Sequence, residues 1–332
     1  MYYLLIFLVG GGSGIFCTWL IREWARRKNI VNNPNPLIPQ HTHPVAYLGG
    51  VGIYIGLMLA IIIYYILFDF EKDSQNIPIL FLILGASSYL ILGVLDDLYT
   101  FSARKKLIWQ FLLAIASVSL GVRFNLLNFS LPQSILTVLW IVVIVNAVNL
   151  TDVCDGLVAG LCVLTFGILS LFSHTYFLFN MTVGAVTTGF LFFNFPKASI
   201  FLGDAGTHLL GFLLAAICIL SVPDRPSIVL KVSWMLLVPG VMLFELLFLI
   251  IVRFRKRIPW WKGSPDHFSL RLQSAGFNRI QTDIIAWGIN IVFVLTACIM
   301  PFFIEIIQYI TLFCIMSILF WAGRYLLRHE VE

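Results

Sequence analysis

Apolar runs of about 20 residues, each long enough to cross a bilayer, recur from one end of this chain to the other. In hydrocarbon every backbone N–H and C=O must find an internal partner, and an α-helix supplies all of them within one segment. Composition agrees with such a fold. Of 332 residues, 60% are hydrophobic and 11% are charged, against roughly 25% charged in an ordinary soluble domain. A soluble fold is therefore excluded. The first run, 1–20, has no basic start and no small-residue cleavage site, and further runs follow. It reads as a retained helix and not as a signal peptide.

Eleven apolar segments can be separated: 2–21, 45–68, 78–95, 107–122, 133–149, 157–173, 176–195, 207–222, 228–252, 282–301 and 303–323. Turn residues or charges break them, as in NNPNP (32–36), DFEKDSQNIP (69–78) and RFRKRIPWWKGSPDH (253–267). The expected architecture is all-α and polytopic, one membrane-embedded domain over 1–332 with eleven transmembrane helices. Pro239-Gly240 predicts a kink inside the ninth. The six cysteines form no C-x-x-C pair and read as small buried hydrophobes.

Basic residues favour cytoplasmic loops. With the N-terminus outside and alternate loops inside, 17 of the 21 lysines and arginines fall inside, leaving Lys72, Arg123, Arg225 and Lys231 outside. The C-terminus is then cytoplasmic. The acidic residues, which took no part in that count, fall on the same face. Asp96 and Asp97 end the third segment, Asp152 and Asp155 end the fifth, and Asp204 lies between the seventh and eighth. Any one of them has an ordinary alternative as a helix cap or a solvated loop residue. Five together near hydrocarbon are costly unless something positive sits among them or one is protonated. Mg²⁺ suits such oxygen ligands.

Other features fit an anionic ligand. Gly203 and Gly206 flank Asp204 where a helix begins, a place where backbone N–H groups can approach a phosphate. Arg104, Lys105 and Lys106 lie one to two turns beyond the aspartate pair, as headgroup-level cations or as ordinary anchors. His267 and Arg271 stand at i, i+4 spacing, with Asp266 placed to cap their helix. Glu245 is an intramembrane acid, either functional or paired with a neighbouring helix. Trp260 and Trp261 read as interfacial anchors.

These stretches, in this order over nearly the whole chain, resemble the polyprenyl-phosphate N-acetylhexosamine-1-phosphate transferases, whose superfamily includes the phospho-N-acetylmuramoyl-pentapeptide transferase. The resemblance implies an enzyme that takes a UDP-sugar from the cytoplasm. It passes the sugar 1-phosphate to undecaprenyl or another polyprenyl phosphate, releases UMP and starts a lipid-linked surface glycan. It implies Mg²⁺ dependence, with Mn²⁺ as the alternative ion. It also implies residence in the plasma (inner) membrane as a multi-pass protein, loops near 22–44, 96–106, 149–156, 196–206 and 253–281 forming the site, no nucleic-acid partner, and room for a homodimer.

Residue by residue, Asp96 and Asp97 match the family's paired aspartates, candidates for deprotonating the lipid phosphate or holding the metal. Lys106, in S-x-R-x-K-L-x-x-Q, matches the lysine on the lipid phosphate. Asn149, Asp152 and Asp155 match N-x-x-D-x-x-D-G beside the nucleotide, and Asn194 and Phe201 match residues that receive uracil. Asp204 matches the metal-binding aspartate of F-x-G-D, and His267 and Arg271 match the histidine loop. The implied catalytic set is Asp96, Asp97 and Asp204, with Asp204 and Asp97 on the metal. Direct attack by the lipid phosphate and a route through an aspartyl-phosphate are both open. Val153 departs from the family pattern in the fifth-segment motif, and Leu270, Ile38, Pro39 and Tyr47 depart from it in the two loops near the sugar-diphosphate end, so the sugar is left open. The alternatives are the pentapeptide transferase and a transporter, for which neither a midplane site nor an internal repeat is visible.

Overall fold

The computed structural model describes residues 2–32, 44–67, 76–123, 130–173, 175–224, 227–259 and 261–331. Ile38, Pro39 and Trp260 lie outside them. The helices are α1 (Tyr2–Arg27), α2 (Gly49–Leu67), α3 (Asn76–Tyr99), α4 (Ala103–Ser119), α5 (Ser130–Thr151), α6 (Leu157–Phe172), α7 (Phe177–Asn194), α8 (Gly203–Leu220), α9 (Ile228–Leu237), α10 (Gly240–Arg255), α11 (Phe268–Ser274), α12 (Arg279–Ile299) and α13 (Glu305–Leu326). A two-residue antiparallel pair, β1 (Val31–Asn32) with β2 (Val45–Ala46), continues through a bridge from Ala46 to Ile200.

Ten of the eleven apolar segments coincide with one helix each and the ninth with two, α9 and α10, and they are not equal in length. Among the described residues, eight helices are long and apolar enough to cross a membrane, and α9 with α10 makes a ninth candidate bent by 77°. The bend falls at Pro239-Gly240, as expected. Proline lacks the N–H that a continuous helix needs, and a Cβ on Gly240 would come within 2.6 Å of the Phe293 ring. Helix α6 has 16 residues, and α4 spends its first turn on Arg104, Lys105 and Lys106. Both therefore fall short of the sequence expectation by length and composition alone.

Helix α8 is the axis of the bundle, with 83% of its residues buried, whereas α13 buries only 11% of its most apolar stretch. Helices α3 and α5 pack directly on α8. Tyr89 stacks on Phe212 with ring centroids 5.0 Å apart, and a Cβ on Gly93 would lie 2.3 Å from the Asp204 carbonyl oxygen. Only glycine permits that approach. The outer helices turn large apolar side chains such as Ile62, Phe302 and Phe313 outward. Water would penalise that surface and lipid does not. This is a multi-pass membrane protein. Its described cysteines are all free, and all but Cys314 are buried.

The two ends of the bundle differ. Tyr3 packs on Phe177 at the far end, 4.7 Å between centroids. Arg22, near the other end of α1, donates to Ser199 Oγ at 3.3 Å. The polar contacts described next all lie at this second end.

Candidate active site

The site is built where α3, α4, α5 and α8 meet. Asp96 and Asp97 close α3. Asp96 Oδ1 accepts from the Phe101 N–H at 2.6 Å, which fixes the turn into α4. Ser102 caps α4 by accepting from the Lys105 N–H at 3.4 Å. That start aims Lys106 back at the acids. Its ammonium pairs with Asp96 and lies 3.2 Å from Asp204 Oδ2. The positive charge that the acidic cluster requires is supplied by this lysine.

Asp97 does different work. Its Oδ1 accepts from the Asp204 N–H and its Oδ2 from the Ala205 N–H, both at 2.9 Å. A carboxylate on the first turn satisfies orphan donors and meets the positive end of the helix dipole. Gly203 allows the approach, because its φ is +73° and a Cβ there would sit 2.8 Å from Asp97 Oδ2. At this helix start, where backbone N–H groups could approach a phosphate, these two are capped by Asp97. Each Asp97 oxygen retains one lone-pair direction for other partners.

Asp204 is held from the other side as well. Asn149 donates to Asp204 Oδ1 and, at 2.9 Å, to Thr207 Oγ1. One turn further in, His208 Nδ1 lies 2.7 Å from the Asp204 carbonyl oxygen, so Nδ1 carries a proton. Its Nε2 faces Gln110 Nε2 at 3.1 Å, and Gln110 Oε1 accepts from Asn146 at 2.6 Å. No motif or spacing singles out Thr207 or His208 in the sequence. Tyr47, noted only as a departure, donates its hydroxyl to the Asp97 carbonyl at 3.1 Å.

Asp152 stands beside this group. Burial, with Asp204, Asp155 and Asp97 close by, pushes its carboxyl up to about 8. Asp96 and Asp204 thus share one ammonium, with Asp97 and Asp152 close to Asp204, and the cluster has room in its charge balance for a further cation. Among the described residues no three His, Cys, Asp or Glu side chains converge tightly enough to hold a metal ion unaided. The donor set suits an ion that takes one or two carboxylates and draws its remaining ligands from water and phosphate, as Mg²⁺ does. It does not suit an all-protein cage.

The loops around 152–156 and 195–202 lock together. Asp155 Oδ2 accepts from the Ala198 N–H at 2.9 Å and pairs with Arg279. Asn194 accepts from the Gly156 N–H at 2.8 Å and donates to the Ile200 carbonyl at 2.9 Å, so both ends of its amide are engaged with backbone. Phe201 N–H donates to the Ala46 carbonyl at 2.8 Å, and Gly49 N–H donates to the Phe201 carbonyl at 2.9 Å, tying this strip to the start of α2.

The histidine loop separates the two residues paired by spacing. His267 turns to Glu245 on α10, its Nδ1 2.6 Å from Oε1, while Glu245 Oε2 accepts from the Phe268 N–H at 3.0 Å. Glu245, and not Asp266, therefore caps α11. A carboxylate can only accept, so Nδ1 holds the proton and Nε2 is the free nitrogen. Arg271 turns the other way and is 1% exposed. It donates to Asp266 at 2.6 Å and to the carbonyls of Leu326 and His329 at 3.0 and 3.3 Å. Lys256 also reaches Asp266, at 2.8 Å. Arg271 anchors the loop to the end of α13 and presents no open surface to a ligand.

Residues 79–222 match the model of glycosyl transferase family 4. A probable undecaprenyl-phosphate N-acetylglucosaminyl 1-phosphate transferase of Bacillus subtilis (strain 168) is 28% identical over 310 residues, covering 89% of this chain and 84% of that protein. A phospho-N-acetylmuramoyl-pentapeptide-transferase of Enterococcus hirae is 33% identical over 250 residues, covering 66% and 74%. A decaprenyl-phosphate N-acetylglucosaminephosphotransferase of Mycobacterium leprae (strain TN) is 29% identical over 228 residues, covering 60% and 56%.

Proposed function

Since the chain belongs to glycosyl transferase family 4, among the polyprenyl-phosphate N-acetylhexosamine-1-phosphate transferases, we propose that it moves an N-acetylhexosamine 1-phosphate from a UDP-sugar to undecaprenyl phosphate, releasing UMP. The observation that carries this reading is the cluster of Asp96, Asp97, Lys106, Asn149 and Asp204 at one end of the bundle. A relative named for N-acetylglucosamine spans 89% of this chain, against 66%, 73% and 78% for three pentapeptide transferases. That contrast favours the N-acetylglucosamine donor.

Phosphoryl transfer needs positioning and charge neutralisation more than covalent help. Lys106 would hold the incoming lipid phosphate, and releasing Asp204 for that phosphate would cost it little separation of charge. Asp96, in the last turn of α3 and paired with Lys106, would take a proton from the lipid phosphate. Asn149, Thr207 and the capped first turn of α8 hold Asp204 in one orientation. Asp204, with the remaining lone pairs of Asp97, would hold Mg²⁺. When bound, the ion would neutralise the diphosphate and stabilise the leaving UMP. His267, oriented by Glu245, offers Nε2 to the sugar-phosphate end.

Eleven crossings are supported by the path of the chain. Helices α4 and α6 each leave the site end, and the helices that follow them, α5 and α7, return to it at Asn149 and Asn194. Asp266 and the carbonyls at the end of α13 meet through Arg271, so the chain finishes at the site end, opposite Tyr3. The 17-to-4 bias of basic residues supports calling that face cytoplasmic.

The test is direct. Purified protein is given undecaprenyl phosphate, Mg²⁺ and, in separate reactions, UDP-N-acetylglucosamine or UDP-N-acetylmuramoyl-pentapeptide, and UMP is measured. Release with the first, stopped by a chelator and restored by Mg²⁺, is expected. Release with the second alone would move the assignment to the pentapeptide reaction.

A further inference from the structure

One face of α12 docks on the loop and helix that begin at Asp152. It carries Arg279, Asp283, Trp287 and Asn290, spaced about one turn apart. Three of these have partners across the interface. Arg279 pairs with Asp155. Trp287 Nε1 donates to the Leu157 carbonyl at 3.2 Å. Asn290 donates to the Leu161 carbonyl at 3.2 Å and to Thr165 Oγ1 at 3.0 Å. Asp283 is the exception. It is wholly buried and neither carboxylate oxygen has a hydrogen-bond partner. One turn away, Arg279 Nε is also buried and without a partner.

A buried carboxylate without donors is costly, and a buried guanidinium N–H without an acceptor adds to the cost. Here the orphan acceptor and the orphan donor belong to residues four apart on one helix, a spacing that lets side chains meet. The guanidinium thus grips one carboxylate, while another, four residues along its own helix, is left unsatisfied. Moving from Asp155 to Asp283 would keep one cation on one anion in both arrangements. What changes is which carboxylate is left to accept from something else.

We infer that Asp283 is a second seat for the Arg279 guanidinium and so a positioning residue for donor binding. Arg279 covers Asp155 in the arrangement seen here, and turns to Asp283 when a hydrogen-bond-donating group of a nucleoside diphosphate sugar claims Asp155. This rests on the reading above that the 152–156 loop meets the nucleotide. Asp283 touches no substrate. It lowers the cost of uncovering Asp155, and its effect falls on donor affinity and not on the chemical step.

The experiment measures UMP release by the purified full-length protein with UDP-N-acetylglucosamine as the probe. In Asp283→Asn the donor KM should rise about tenfold, the effect of about 1.4 kcal/mol, with kcat and the KM for undecaprenyl phosphate held within about twofold. The melting temperature should not fall, because a buried unpaired charge has been removed. Adding Arg279→Gln to that variant uncovers Asp155 again and should bring the donor KM back to within about threefold of wild type. A purely structural aspartate predicts neither the KM-only effect nor the rescue. An unmoved donor KM in Asp283→Asn, a parallel loss of kcat, or failure of the second substitution to rescue overturns the inference. If Asp283→Asn does not fold, the double variant decides alone: a donor KM near wild type supports the seat and a raised one overturns it. No UMP release by the wild type sinks the functional reading and the seat with it, whereas wild-type turnover with an unmoved KM in Asp283→Asn sinks the seat alone.

Discussion

Asp97 holds Asp204 by the backbone: its carboxylate accepts the N–H of Asp204 at 2.9 Å and that of Ala205 at the same distance. The aspartate expected on the metal is thereby also the N-terminal cap of the most buried helix. Asp97→Asn keeps the shape but replaces one acceptor oxygen with a donor that faces an N–H. Losing a cap costs about 0.5–2 kcal/mol. The variant should melt earlier in detergent and lose turnover together. Full stability with lost turnover would mean that Asp97 acts on the substrate and not through the helix.

Among the described residues, Lys106 is the one ammonium paired with Asp96 and Asp204. Lys106→Gln removes it and leaves the acids to repel one another. Loss of one group that stabilises the transferring phosphate typically costs about 10²–10³ in rate, and turnover should drop by that order. Excess Mg²⁺ should recover part of the loss if repulsion is the main defect. Activity within about tenfold of wild type would remove Lys106 from the proposed mechanism.

Glu245 serves two donors, His267 Nδ1 and the Phe268 N–H, from inside α10. Glu245→Gln can accept from one of them and turns an NH₂ group on the other. A buried donor left unmet costs about 1–3 kcal/mol. That should appear as at least about a fivefold fall in kcat/KM. Retained activity would show that His267 does not depend on this carboxylate for its orientation.

Asp266 gives a pH test outside the membrane. Burial alone would raise its carboxyl, but hydrogen bonds and charge from Lys256 and Arg271 outweigh burial and hold it below the ordinary value of 3.8. A folded-state value below the unfolded one contributes stability above the unfolded value, and that contribution fades as pH falls through the folded one. The wild type should therefore lose stability relative to Asp266→Asn as pH is lowered below 3.8, and exceed it at neutral pH. Melting curves of both proteins between neutral and acid pH measure the difference. Parallel curves would show that the pair with Arg271 contributes nothing.

Much of this was legible in the sequence, for identifiable reasons. Apolar runs fix where helices lie, so each of the eleven segments is helical, and Pro239-Gly240 marks the 77° bend because proline lacks a donor. The gathering of acids was legible because charges near hydrocarbon sit at helix ends. The partners were not. That Asp97 caps α8, or that Arg271 reaches the carbonyls of Leu326 and His329, depends on how distant helices approach, which no local pattern encodes. The i, i+4 rule placed His267 and Arg271 on one face, but His267 precedes the helix and its side chain leaves in another direction. Arg279 and Asp283 share that spacing at the head of an apolar span, and that was the one available signal of their relationship.

The grip of Arg271 on the last carbonyls of α13 also bears on handling the protein. Most of α13 faces outward and contributes no side chain to the site, yet its final turn is fastened to the residue next to His267 through Arg271 and Asp266. The tail is thus no neutral handle. A tag or reporter joined flush to Leu326, or a protease cut there, would tug at the same fastening, whereas a spacer beginning after Glu330 leaves it intact.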